Sequence, residues 1–196
     1  MYLKISDVQY YLLNFIDEYS RYLVYWELLT TMDGHSISVA AQRALETLPM
    51  NDLGQLKTKP VIRSDNGSGY ISKEFGGLLA HHDLTHHRIK PHCPEENGVM
   101  ERCNRTLREA IEEHELVSRY DSEKVIDDLV THYNEIRLHS SLGFQTPATW
   151  YRGNPDEVTS SRRLKLAQAR HRRKQINLGI RQPTLPFLAT ESASCN

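Results

Sequence analysis

The chain has 196 residues, 39% of them apolar and 25% charged, which is enough for one full domain plus an appendage of ordinary globular composition. No apolar run approaches the roughly 18 residues of a membrane helix, and the N-terminus lacks the pattern of a secretory signal. Cys93, Cys103 and Cys195 are too few and too scattered for a disulfide framework, so a reducing cytoplasm is the expected setting. Net charge is −1, but it is unevenly spread: 16 basic and 24 acidic residues up to Glu157, then 8 basic and 1 acidic from Val158 onward. A basic appendage of this kind can meet an anionic polymer; its plain alternative is a solvated helix in a tail.

In chain order, Tyr2 to Ile5 reads as a short strand and Ser6 to Gln9 as a turn. Tyr10 to Ile16 is a near-continuous apolar run, the signature of a buried strand, and Tyr22 to Leu29 a third strand, giving an antiparallel meander. Ser36 to Leu48 places Ile37, Ala40, Ala41, Ala44, Leu45 and Leu48 on one helical stripe. After a polar loop, Pro60 to Ser64 is a fourth strand, expected parallel to the first because a helix precedes it. Ser72 caps a short helix to His82. Leu84 to Ile89 is a fifth strand, and Lys90 to Gly98, with two prolines, is an irregular loop. Val99 to about Val117 is a long helix with Met100, Cys103, Leu107, Ala110 and Ile111 inward and Glu101, Arg105, Arg108 and Glu112 on another face. Glu123 to Leu138 is a further helix. Thr146 and Pro147 open a short last one, and Gly153-Asn154-Pro155 breaks the chain, so the domain boundary falls after residue 153. Ser160 to Arg181 is one basic helix, and the Pro- and Ser-containing end is expected to be disordered.

Two stretches carry the chemistry. Val61-Ile62-Arg63-Ser64-Asp65-Asn66-Gly67 is an apolar run that delivers an acid to a strand end and then turns. Asn97-Gly98-Val99-Met100-Glu101-Arg102 opens a helix with an acid in its first turns. Taken alone, Asp65 is a strand-ending turn residue, and Glu101 a surface acid pairing with Arg105. Together, a strand-end carboxylate and a helix carboxylate are what a divalent-metal site for phosphoryl chemistry requires, because hard oxygens hold Mg²⁺ or Mn²⁺. Lys90, Arg102, Arg105 and Arg108 flank the acids and can meet phosphates, as can the donors of Asn66, Ser68, Asn97 and Asn104. Arg162, Arg163, Arg172 and Arg173 offer the same chemistry in the tail helix. His81, His82, His86, His87, His92 and Cys93 could form a zinc site, but their spacing fits no familiar pattern, and surface and strand histidines are the simpler reading.

The stretches YYLLNFIDEYSRYLVYWEL, VIRSDNGSGYISKEF, PHCPEENGVMERCNRTLREA and HYNEIRLHSSLGFQTPATWY resemble the integrase core of bacterial insertion-sequence transposases of the retroviral-integrase type. The resemblance covers roughly residues 1–153. It implies a ribonuclease-H-like α/β fold, with three antiparallel strands, then parallel strands, and helices on both faces. It also implies a three-acid site in which Asp65 and Glu101 match the second and third acids as metal ligands. The family's first acid lies two residues before the position of Met1, so this chain carries only two of the three. Asp7, in the hairpin turn, would be roughly 25 Å away at strand rise. Asp17 is the better geometric substitute, though its plain reading is a turn cap or a partner of Arg21.

The expected function is therefore that of a transposase catalytic core, cutting and joining transposon ends and target DNA with Mg²⁺ or Mn²⁺. The resemblance further implies a homo-oligomer or pairing with full-length transposase in the bacterial cytoplasm, and the missing acid implies inactivity alone. Two alternatives stay open: a non-enzymatic DNA- or partner-binding remnant, and a ribonuclease-H-like nuclease that only hydrolyses.

Overall fold

The computed structural model describes residues 1–90 and 93–181; His92, Cys195 and the tail read as disordered lie outside the described residues. Met1–Gly153 and the segment from Asn154 onward are separate compact units.

The first unit opens with strands β1 (Tyr2–Ile5), β2 (Val8–Ile16) and β3 (Leu23–Leu29) as an antiparallel meander. Ser6 and Asp7 alone make the first turn, with φ of 45° and 66°. That mirror-image turn matches the twist of the flanking strands, so β2 begins at Val8 rather than beyond Gln9. Helix α1 (Gly34–Glu46) starts two residues earlier than expected because Asp33 is its cap, accepting from Ser36 N–H at 2.8 Å. Strand β4 (Val61–Ser64), helix α2 (Lys73–His81) and strand β5 (Thr85–Arg88) follow, with Ser72 capping α2 as expected.

β4 pairs in parallel with β5, Val61 opposite Thr85 through Ser64 opposite Arg88, and among the described residues its ladder is with β5 alone. The β1–β2 ladder ends at Met1, whose backbone exchanges hydrogen bonds with Leu12. A cavity lined by β4 and by Asn14 to Asp17 lies beyond that point.

The segment from Lys90 to Gly98 is not wholly irregular: Pro94–Asn97 forms a 3-10 turn with proline at its start, where a missing N–H costs nothing. Helix α3 (Gly98–Ile111) stops six residues short of the expected Val117. The apolar stripe ends at Ile111, and the acids Glu112, Glu113 and Glu115 oppose the helix dipole at that end. Helix α4 (Arg119–Glu135) starts earlier than expected on a Ser118 cap, and α5 (Pro147–Arg152) has the expected Thr146 cap and leading proline.

Cys103, Leu107 and Ile111 of α3 and Ile126, Val130 and Tyr133 of α4 close over Leu3, Ile5, Leu12, Leu23 and Leu28 of the meander. Ile37, Ala40 and Ala41 of α1 and Phe75 and Leu79 of α2 build smaller clusters with Leu13, Leu29 and Phe15. Helices thus cover both faces of the meander. Alternating side chains make this consistent: Leu12 and Ile16 join the α3–α4 cluster, Leu13 and Phe15 the α1 side.

In the second unit, helix α6 (Pro155–Arg181) begins where a break was expected. Asn154 Oδ1 accepts from Glu157 N–H at 3.2 Å, and Pro155 takes the first helical position. Nearly all of its described side chains are exposed.

Asn134 of the Tyr-Asn signature has a structural task. It is 4% exposed, its Oδ1 accepts from Leu23 N–H at 2.9 Å, and its Nδ2 donates to Leu23 C=O at 3.0 Å. The side chain acts as a one-residue strand partner that ties α4 to the start of β3. Replacing Asn134 with Ala leaves both Leu23 groups buried and unpaired. Urea denaturation is expected to show a loss of about 2–3 kcal/mol.

Candidate active site

Asp65 follows the last residue of β4, and the chain around it is stapled to β5. Ser64 Oγ donates to the Asp65 carbonyl at 2.8 Å and lies 2.8 Å from His86 Nε2. Asn66 Nδ2 donates to Ile89 C=O at 2.9 Å, so that amide, expected to face DNA, already holds the strand end. The Asp65 carboxylate accepts from Gly67 N–H at 2.9 Å, an Asx turn, and the residue is exposed. Gly69 lets the following loop press onto α1: a Cβ there would lie 2.3 Å from Ile37 Cδ1 and 2.6 Å from Met32 C=O.

Asp65 lines a cavity of about 400 Å³ with Asn14, Ile16, Asp17, Tyr70, Asn97, Val99 and Met100 among its neighbours. Glu101, the residue after Met100 on α3, is exposed and is not among the residues that line the cavity. The fold therefore brings the strand-end acid and the first turn of α3 to one cavity. Arg105 contacts Glu109 at 4.0 Å rather than Glu101, and Glu101 takes part in no ion pair among the described residues. The Met1 ammonium lies in the field of both Asp65 and Arg108, although burial is what chiefly lowers its pKa.

The other expected phosphate contacts separate. Arg102, Arg105 and Arg108 are exposed on α3. Lys90 is exposed, and its backbone N–H donates to Glu96 Oε2 at 3.0 Å, which closes the loop before α3. Asn97 stands at the α3 N-terminus without a side-chain capping bond. Asn104 is spent on the core, where its Oδ1 accepts from Asn14 Nδ2 at 2.8 Å. Arg162, Arg163, Arg172 and Arg173 are exposed on α6.

Asn14 is the residue the sequence did not flag. It is 7% exposed, and its Oδ1 has no hydrogen-bond partner. A polar residue at a core-facing position of an apolar strand was the available signal. Asp17 closes the β2–β3 turn, accepting from Ser20 N–H at 2.8 Å and from Ser20 Oγ at 2.5 Å. Its carboxylate thus has a structural task, in a turn, as its plain reading held; the acceptor bonds come from Ser20, not Arg21. Asp7 pairs with Lys4 at 2.7 Å on the surface.

The donor chemistry of Asp65 and Glu101 fits a hard divalent ion such as Mg²⁺ or Mn²⁺. Soft or borderline ligands are engaged elsewhere: His86 on Ser64, His82 on Gln42 at 2.7 Å, and Cys103 in the core, where burial pushes its thiol up to about 11. Among the described residues no group of three or more His, Cys, Asp or Glu side chains is arranged to hold a metal.

Two family models, each described as an integrase core domain, match residues 1–94 and 82–147. Residues 1–147 carry an integrase core domain. A 39.2 kDa protein of insertion element IS476 from Xanthomonas euvesicatoria is 38% identical over 88 residues, covering 44% of this chain and 25% of that protein. The transposase for insertion sequence element IS904 from Lactococcus lactis is 24% identical over 157 residues, 78% of this chain and 59% of that one. The HTLV-2 integrase catalytic core domain, solved in complex with magnesium, superposes with a TM-score of 0.57 over 76% of this chain and 89% of that chain, at 16% identity. The fold is therefore that of integrase catalytic cores, ribonuclease-H-like. The chain spans only a quarter of the Xanthomonas protein and 59% of the IS904 transposase. Among the described residues no helix is long and apolar enough to cross a membrane.

Tyr70, in the cavity wall, is held neutral, its phenol pushed up to about 12 by burial first and by the Asp65 carboxylate second. An unfolded tyrosine ionises near 10. The unfolded chain therefore releases this proton first, and the stabilisation, complete below pH 10, is lost as pH rises towards 12. Stability measured by denaturant titration is expected to fall across that window, and to fall less steeply in Tyr70→Phe.

Proposed function

We propose that this integrase core belongs to a transposase that cuts and joins DNA by divalent-metal phosphoryl transfer. The observation that carries the reading is the convergence of Asp65, at the end of β4, and the first turn of α3, bearing Glu101, on one cavity of a core with this fold. Asp65 and Glu101 would hold the ion, which when bound supplies Lewis acidity to the attacking and leaving oxygens of an in-line displacement. The Asx turn at Gly67 and the Ser64 and Asn66 staples keep the Asp65 carboxylate at a fixed place on the strand end. Arg102, Arg105 and Arg108 on α3, with Lys90, neutralise phosphates of the bound duplex. The nucleophile is first water and then a DNA 3′-hydroxyl, and the partners are transposon ends and target DNA, handled by an oligomer or with full-length transposase.

Two carboxylates hold a divalent ion more weakly than three, so this chain by itself is expected to be a poor nuclease. The β1–β2 register puts the position two residues before Met1 opposite Asn14. The decisive comparison is Mg²⁺- or Mn²⁺-dependent nicking of end-bearing duplex by this chain and by a version extended to place Asp at that position. Cutting by the extended chain alone, abolished by Asp65→Ala or Glu101→Ala, is the expected result; equal cutting by both would refute the three-acid reading. Strand-transfer products in the same assay distinguish a transposase from a nuclease that only hydrolyses.

A second reading, a DNA- or partner-binding protein that does not cut, is favoured by one observation: α6 exposes a run of arginines and lysines away from either acid in sequence. Replacing Arg162, Arg163, Arg172 and Arg173 with Ala tests its contribution. If all four meet phosphates, the slope of log affinity against log salt should become shallower by about 3–4, read by anisotropy across a salt series. An unchanged slope would place α6 outside the DNA interface.

A further inference from the structure

The β2–β3 turn, the segment after α4 and helix α5 meet at one end of the first unit, where they present rings and guanidinium groups. Tyr19, in the turn, is 72% exposed. Its ring rests against Trp150 of α5, with centroids 5.4 Å apart and planes at 65°. Trp150 is itself fixed, because its Nε1 donates to Leu142 C=O at 3.3 Å. Further along the turn, Tyr22 stacks on Tyr151 at 4.3 Å and 4°, and Tyr151 lines the cavity that Asp65 also lines. The paired rings have set orientations, and Tyr19 keeps most of its surface open beside that cavity.

The charges at this end do not cancel. Asp17 is taken by Ser20, Glu18 pairs with Arg63, and Glu135 pairs with Arg152. Arg21 and Arg137 are left over, and among the described residues neither joins an ion pair. Both act on one place, His139, whose imidazole is held below its ordinary pKa first by burial and then by the charges of Arg137 and Arg21. Like charges gathered at one place repel, and an anion bound there relieves the repulsion.

Arg21 is also a costly choice for its position. Its φ is 63°, in the left-handed region that Gly and Asn enter more readily. Backbone bonds already close the turn: Asp17 N–H donates to Tyr22 C=O and Arg21 N–H to Asp17 C=O, both at 2.8 Å. The Arg21 guanidinium donates to Glu18 C=O, which steadies it in the turn and leaves further N–H groups for another acceptor. Backbone strain kept at a charged residue points to a use for its side chain.

We propose that this end of the core binds an unpaired DNA strand beside the cavity, one base stacking on Tyr19 and the adjoining phosphates meeting Arg21 and Arg137. Every base has a π-face, so an exposed ring holds single strands with little regard to sequence, while guanidinium groups track the backbone. A duplex cannot use Tyr19 in this way, because its bases are already stacked on one another. The inference rests on the reading that the chain acts on DNA, and adds to it the form of the strand and the residues that hold it.

The probe is a fluorescent oligothymidylate of about 12 nucleotides, a length that single-strand sites span, set beside a blunt duplex. Binding to the full chain is read by anisotropy with no divalent ion added, so metal held by Asp65 and Glu101 plays no part. Tyr19→Ala is expected to weaken oligothymidylate binding by about fivefold or more. Tyr19→Phe should keep it, and both variants should leave duplex binding unchanged. Arg137→Gln should make the slope of log affinity against log salt shallower by about 0.7 on the single strand. The proposal is overturned if Tyr19→Ala or Arg137→Gln binds oligothymidylate as the parent chain does, in which case the exposed rings are left for a protein partner. It is overturned too if Tyr19→Phe loses as much as Tyr19→Ala, or if the duplex loses as much as the single strand. A chain that binds the duplex but not the single strand sinks this inference alone, whereas one that binds neither also removes the DNA reading beneath it.

Discussion

The packing of α3 against the meander is the constraint on which the rest depends. Cys103, Leu107 and Ile111 recur at four-residue spacing and bury against Leu3, Ile5 and Leu12. Removing one large side chain from such a core typically costs about 2–5 kcal/mol, so the rotation of α3 about its axis is firmly set. With that rotation fixed, Arg102, Arg105 and Arg108 face solvent, and Glu101 stands exposed in the first turn, one residue after the cavity-lining Met100. The Asn14–Asn104 bond adds a polar lock on the same seam. The chemistry of α3 is thus a consequence of its buried stripe.

A second constraint acts on Asp65. β4 is short and bonded to β5 only, and its end is held by side chains: Ser64 to His86 and Asn66 to Ile89. The loop after it is drawn in at Gly69, where backbone and Ile37 leave no room for a side chain. The Asp65 carboxylate is thereby presented from a held strand end rather than from a free loop. Two of the histidines that invited a metal reading belong to this scaffolding: His86 lies edge-on to Phe75 and bonded to Ser64, and His82 ties α2 to α1 through Gln42.

Much of this was legible in the chain. Period-two and 3.6-residue patterns located the five strands and most helices, because burial of one face imposes those periods. Caps at Ser72 and Thr146 were readable from residue type. Helix ends were less so: α3 stops where acids oppose its dipole, α1 starts where Asp33 captures Ser36, and α6 starts on the very proline that reads as a breaker. These are competitions between neighbouring signals of similar strength, and residue type alone does not rank them.

The sequence by itself determined the order of elements, because periodicity is a local property, and its resemblance to integrase cores pointed to the fold class and to Asp65 and Glu101 as the acids to examine. Only the tertiary structure decided which strands share hydrogen bonds, that Asn66 and Asn104 are occupied by protein, and that Asn134 clamps Leu23. It alone revealed the cavity beside Asp65 and the orphaned oxygen of Asn14, one of the residues that line it. The physical reason is that hydrogen-bond partners far apart in the chain are chosen by the three-dimensional packing of the elements that carry them, and no local pattern encodes that choice.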